Sequence, residues 1–389
     1  MKAAQTPLGE IGWCRVTTDY VAVTQQIVDD VIAPGAAEVD STGEFPRANI
    51  AALAEAGVLG MMSSPEVGGG GQGLAEASAV IEKIAGACGS TAMVVLMHFA
   101  ATGILEAHGD EETRRAIAAG RHLTTLAFSE TGSRSHFWAP TSTAKSDGNG
   151  KVTLDAKKSW ITSSHEADSY VWSSTPLEAE GPMTIWNVPS NSAGLTVKGK
   201  FDGLGLRGND SNPTTAEGVQ IAASARLGDD GAGLDLALGT CLPVFLVLNA
   251  SFSLGLMQAM VNEAGEHLKN TRLAHLDQSL AEQSPQRTRY AELLTKVDGV
   301  RAFIQDTLAA LGSGRPDATL RVLQVKAVAA EAASEVADGV MKLCGGSAFR
   351  KELGVERRFR DSLAARVMAP TTDALRDFVG RATLGLPLF

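Results

Sequence analysis

Apolar residues recur at helical spacing through the first third of the chain, alternate with polar ones in the middle, and return to helical spacing from about residue 233. RANIAALAEAGVLGM (47–61) carries Ile50 and Leu53 on one face, and Gly57 and Gly60 end the element. SSPEVGGGGQG (63–73) is a glycine-rich loop, followed by helical runs over 74–87 and about 90–107. GDEETRRAIAAG (109–120) reads as a short helix with acids in its first turn and arginines behind them, as the helix dipole favours. The texture changes near Leu123. LTTLAFSE (123–130), GKVTLDAKKSWIT (150–162) after the turn SDGNG, DSYVWSST (168–175), PMTIWNVPS (182–190) and GLTVKGKF (194–201) predict short strands between Gly, Pro and Ser turns. Helices are then predicted over 241–270, 284–312, 318–343 and 370–382, with a turn at SGRPD (313–317). Helices, strands, then helices imply an α+β chain: a helical domain over 1–123, a β domain over 124–230 and a helical bundle over 231–389.

Composition changes this picture little. With 44% apolar and 20% charged residues the chain is ordinary for a soluble globular protein. A formal net charge of −10 argues against a nucleic-acid or polybasic membrane surface, since phosphate binding needs clustered Lys and Arg. Cys14, Cys88, Cys241 and Cys344 form no CxxC pair and have no metal-ligand spacing, so they read as buried thiols of a reducing compartment. MKAAQTPLGEIGWCRV lacks the apolar core of a signal peptide, and a cytoplasmic location is expected. One stretch imitates a membrane span: Cys241 to Val261 has no charge over about 21 residues. Pro243, Asn249, Ser251, Ser253 and Gln258 interrupt it, which favours a helix buried inside a bundle.

Several segments carry more specific information: LAEAGVLGMMSSPEVGGGGQGLAEASAVIEKIA (53–85), LAFSETGSRS (126–135), KSWITS (158–163), LGLRGNDSNPTTAEGVQI (204–221), RLAHLDQSLAEQ (272–283) and KLCGGSAFRKELGVERRFRD (342–361). In this order they resemble the acyl-CoA dehydrogenase superfamily along nearly the whole chain. The resemblance implies an N-terminal helical domain, a middle β-barrel-like domain and a C-terminal four-helix bundle. It also implies FAD between the last two, with a neighbouring subunit of a homodimer or homotetramer completing the site. On this likeness Phe128 and Ser129 would bond the flavin's pyrimidine edge, Ser135 would reach the FAD pyrophosphate, and Trp160 and Thr162 would flank the ring. Arg272, Gly345 and Gly346 match positions that reach a neighbouring subunit's cofactor, and Thr371 and Asp373 match positions at FAD phosphates or adenosine. Arg207, Glu130, Arg357, Arg360 and Asp361 match residues of structural role, the last three holding the bundle together.

The departures matter as much. After Arg360-Asp361 the family reads, in type, I-Y-E-G-T, where this chain has V-M-A-P-T. Ala369 therefore stands at the glutamate that abstracts the α-proton of an acyl thioester, and Pro370 at the following glycine. The other place where relatives carry the base falls at Phe245, inside the charge-free stretch. His136 follows the FSETGSRS loop and is the candidate titratable group near the flavin, since imidazole serves as acid or base at neutral pH. His98 lies on an apolar helix, where a satisfied core histidine is the ordinary outcome. Three readings follow: a flavin-dependent oxygenase acting on an acyl-CoA or related small molecule, a dehydrogenase with its base relocated to His136, or a non-catalytic flavin-fold subunit.

Overall fold

The computed structural model describes residues 18–133 and 136–388. The N-terminal unit is helical: Tyr20–Ile27 runs through a π turn (Val28–Ile32) into Ala33–Thr42, followed by Arg47–Glu55, Leu74–Ala87, Gly89–His108 and Glu111–Ala118. Asp110 caps the last of these by accepting the Thr113 amide at 2.8 Å. A second π turn, Ala237–Cys241, opens the long helix Leu242–Asn270. Each π turn is followed at its second residue by a proline, Pro34 and Pro243, whose missing N–H removes one α-helical bond from the ladder.

The middle unit is two four-stranded sheets. One has the order β1 (Thr124–Ala127), β4 (Ser169–Ser174), β5 (Thr184–Pro189), β8 (Arg226–Leu227), with β1 and β4 parallel. The other is antiparallel, in the order β2 (Thr143–Ser146), β3 (Lys151–Ile161), β7 (Asn212–Ala222), β6 (Leu195–Val197). The turn between β2 and β3 forms as the sequence suggests: Asp147 Oδ1 accepts the amides of Asn149 and Lys151. Trp172, Trp186, Tyr170, Val152, Leu154 and Val219 build a separate core for this unit.

Helices Leu242–Asn270, Ser284–Ser313, Ala318–Cys344 and Thr372–Leu384 form the C-terminal bundle. Leu242–Asn270 packs on one side against its bundle partners and on the other against Leu74–Ala87 and Gly89–His108, so one apolar core runs through both helical units. That explains the lack of charge from Cys241 to Val261. The expectation that this stretch is alone in its apolarity needs correcting: Gly89–His108 is also long and apolar enough to span a membrane, and most of both helices is buried inside the protein. Cys88, Cys241 and Cys344 are free and buried; Cys14 lies outside the described residues.

Arg360 and Asp361, expected to hold the bundle together, instead join it to the other two units. The Arg360 guanidinium donates to both carboxylate oxygens of Asp40 in the N-terminal unit (2.8 and 2.6 Å) and to the Leu204 carbonyl of the β unit (3.1 Å). Asp361 Oδ1 accepts the Leu206 amide at 2.6 Å. Gly205 sits against the Arg360 carbonyl so closely that an added Cβ would lie 2.5 Å from it. The three units are thus clasped at one point.

Candidate active site

Between the β unit and the bundle lies a cavity of about 710 Å³, within the size range of cofactor and small-molecule sites. Phe128 and Ser129 reach it from the end of β1, and Trp160, Ile161 and Thr162 from the end of β3. Ala237, Cys241, Leu242 and Phe245 line it from the long bundle helix and its opening turn, and Val367 to Pro370 from the segment before the last helix. Met97, Phe137, the loop Gly203–Leu206, Glu130, Asn209, Ser211 and Arg360 also contribute to the wall.

The two β-unit segments are placed by backbone bonds. Ser163 N donates to Asn209 O (2.9 Å) and Ser164 N to Asp210 O (3.1 Å), which ties KSWITS to the loop after Leu206. Trp160 and Ser163 adopt positive φ (58° and 57°), an uncommon conformation for residues with a Cβ, held by this pairing. The turn leaves the Trp160 side chain 69% exposed at the cavity's edge, whereas Thr162 is buried, its hydroxyl 3.3 Å from that of Ser211.

Titratable groups in the wall are few. Glu130 is engaged: Oε1 accepts from the Lys158 ammonium (2.5 Å) and the Ser142 hydroxyl, and Oε2 from the amide (2.5 Å) and hydroxyl (2.7 Å) of Thr141. Burial opposes its charge, but Lys158 and these hydroxyls hold the carboxyl below its ordinary value. Lys158 also donates to the carbonyl and hydroxyl of Ser173, and burial brings its pKa down to about 8 against the pull of Glu130. Burial pushes the Cys241 thiol up to about 12, so it is neutral near pH 7. Arg360 is held in the clasp. No unpaired carboxylate or imidazole is among the described residues of the wall.

Behind the wall lies a residue that the sequence reading did not single out. Lys326, fully buried on Ala318–Cys344, donates to the carbonyls of Met368 (2.9 Å) and Pro370 (2.8 Å), and burial lowers its pKa to about 7. It fixes the segment that bears Ala369. The available signal was a lysine set among Val322, Val325, Ala327 and Ala329 on an Ala- and Val-rich helix.

The structure brings Phe128, Ser129, Trp160 and Thr162 together, with Ala369 and Phe245 on the same cavity. Ser135 lies outside the described residues. His136 is exposed and absent from the wall; its Nδ1 is 2.8 Å from Ser133 O and its ring stands edge-on to Trp138. Arg272 is also remote, donating to the carbonyl and carboxylate of Asp277 at the surface. Gly345 takes φ +55°, and a Cβ at Gly345 or Gly346 would meet nothing within 4 Å, so no close approach within the chain demands these glycines. Thr371 caps Thr372–Leu384 by accepting the Ala374 amide, and Asp373 is exposed near Arg376. His98 is a satisfied core histidine: one ring nitrogen is 3.2 Å from Leu59 O and the other accepts the Thr124 amide. Burial lowers its pKa to about 4.

Three family descriptions match in chain order: acyl-CoA dehydrogenase N-terminal domain over residues 18–120, middle domain over 125–219 and C-terminal domain over 231–384. The short-chain specific mitochondrial acyl-CoA dehydrogenase of Bos taurus is 27% identical, over 94% of this chain and 92% of its own length. Butyryl-CoA dehydrogenase from Megasphaera elsdenii superposes with a TM-score of 0.88 at 20% identity, covering 98% of this chain and 100% of that one. The prolyl acyl carrier protein oxidase AnaB superposes at 0.86 with 17% identity, covering 96% and 100%.

Proposed function

Because the chain belongs to the acyl-CoA dehydrogenase superfamily, we propose that it is an FAD-dependent oxidoreductase, and specifically a flavin-dependent oxygenase acting on an acyl-CoA thioester or a related small molecule. One observation carries this reading. Ala369 and Phe245, the two places where a proton-abstracting carboxylate would be expected, line one cavity, and the carboxylate in its described wall, Glu130, is fully engaged with Lys158, Thr141 and Ser142. Desaturation of a thioester needs a base at the α-carbon; alanine and phenylalanine cannot take a proton.

FAD fits the residues present. Two strand ends, Phe128-Ser129 and Trp160–Thr162, offer rigid polar and aromatic groups on one cavity, and the Asn209 carboxamide oxygen is buried there without a partner. Bound FAD would supply electron-pair transfer and, once reduced, reaction with dioxygen. The chain would supply binding by Phe128, Ser129, Trp160 and Thr162 and an apolar wall (Ala237, Leu242, Phe245, Val367) that keeps water from the reacting atoms. Substrate carried by CoA or by a carrier protein suits the same cavity; the relatives named above include one of each kind. The assembly is taken to be a homodimer or homotetramer in a reducing, cytoplasmic setting. Exposed Arg272, the open space around Gly345 and Gly346, and Phe349, 81% exposed, support a neighbouring copy there.

Stopped-flow mixing tests the reading. Short, long and aromatic acyl-CoAs should bleach the flavin very slowly without oxygen, while chemically reduced protein should react with oxygen in a ligand-dependent way and yield an oxygenated product. Rapid anaerobic bleaching by a simple acyl-CoA would overturn it. A desaturase with its base at His136 is not favoured, because that ring faces solvent and is engaged at Ser133.

A further inference from the structure

Among the described residues of the cavity wall, one buried polar side chain has an atom without a partner. Asn209 is 3% exposed and lines the wall, yet its Oδ1 has no hydrogen-bond partner. Its backbone is fully used: the amide donates to Leu206 O (3.0 Å) and the carbonyl accepts from Ser163. The Asn209 backbone is thereby fixed, between Leu206 and Asp210, which both hold positive φ. Two residues on, the Ser211 hydroxyl meets that of Thr162, and both line the cavity. Thr162, Asn209 and Ser211 make a polar wall from two clamped segments, set in a cavity otherwise mostly apolar. A buried carbonyl left unpaired costs free energy until a donor arrives, so its persistence in a cavity wall points to a ligand.

We propose that Asn209 is a cofactor-binding residue, its carboxamide hydrogen-bonding the heteroatom edge of the flavin ring beside Thr162. This rests on the flavin reading above. The choice of ring over substrate follows from the walls: Asn209 belongs to the β-unit side with Thr162 and Ser211, whereas the bundle side, Ala237, Leu242, Phe245 and Val367, is apolar apart from Arg360, which is paired with Asp40, and suits an acyl group. A carboxamide offers both a donor and an acceptor, matching an edge that alternates ring nitrogens and carbonyls.

The test uses full-length protein stripped of flavin and titrated with FAD, then reductive titration of the reloaded protein. Asn209→Ala should weaken FAD binding roughly three- to tenfold, the loss of one hydrogen bond. Asn209→Asp should lower the flavin midpoint potential, because an added carboxylate beside the ring opposes its reduction. Asn209→Ser, which keeps a small polar side chain, guards against a folding failure and should shift the visible spectrum in the same sense as Asn209→Ala. A role confined to the turn would lower the melting temperature and leave potential and spectrum unmoved; that result overturns the inference. Wild-type protein that takes up neither FAD nor FMN would overturn the flavin reading itself, and this inference with it.

Discussion

Phe245, on the long bundle helix, and Ala369, in the segment before the last helix, line the same cavity. Were a missing base the only obstacle to desaturation, returning a carboxylate would restore it. Ala369→Glu combined with Pro370→Gly should raise the anaerobic rate of flavin bleaching by butyryl-CoA at least about a hundredfold, the low end of what a positioned general base contributes. A folded, flavin-loaded double variant with an unchanged rate would mean that something besides the base has been lost.

Thr162 supplies a buried hydroxyl at the cavity, paired only loosely with Ser211. Thr162→Val keeps the shape and removes the donor. FAD affinity, read by quenching of flavin fluorescence on titration, should fall by about 0.5–1.5 kcal/mol. An equal affinity would remove Thr162 from the cofactor contacts.

Lys158 and Glu130 are a buried ion pair, with Lys158 Nζ also bonded to Ser173 and 5.1 Å from the Trp172 ring centre. Removing one partner strands the other charge. Lys158→Met should lower unfolding free energy by about 3–5 kcal/mol in urea, and adding Glu130→Gln should recover part of it. A single variant within 1 kcal/mol of wild type, to order of magnitude, would show the pair to be solvated.

His98 predicts a pH dependence. Burial holds its folded pKa near 4, below the ordinary 6.5, so between these values the unfolded chain binds more protons. This contribution is complete above pH 6.5, shrinks as pH falls, and is gone below about 4; between pH 7 and pH 5 it amounts to about 2 kcal/mol. Urea unfolding at a series of pH values should show His98→Gln with a shallower acid limb than wild type. Parallel limbs would mean that the ring is charged in the folded protein.

The order of the units was legible because periodicity is local: 3.6-residue spacing in the helices, and turns such as SDGNG at the strand ends. The strand Asn212–Ala222 was not, since Asn212, Pro213 and Gly218 make it read as a turn; it forms because Lys151–Ile161 offers it a long partner. The site divides the same way. Residues 128–129 and 160–162 announce themselves in short motifs. Met97, Phe137 and Asn209 gain their roles only from the cavity that the fold assembles, and nothing in their immediate neighbours marks them; Lys326 had only its apolar neighbours as a signal. His136 shows the opposite error: proximity in sequence to a cofactor loop did not bring its ring to the cavity.

The clasp of Asp40, Leu204, Leu206, Arg360 and Asp361 has a mechanical consequence. Three bodies riveted at one joint have no hinge there, and the loop that walls the cavity, Gly203–Leu206, is part of the joint. Damage to the first helical unit is therefore transmitted to a binding site that this unit touches little. Arg360→Ala, with no change at any residue proposed to hold the flavin, should release cofactor at a temperature below that at which the helices melt, and the gap between the two transitions measures how much of the cavity's shape the joint maintains.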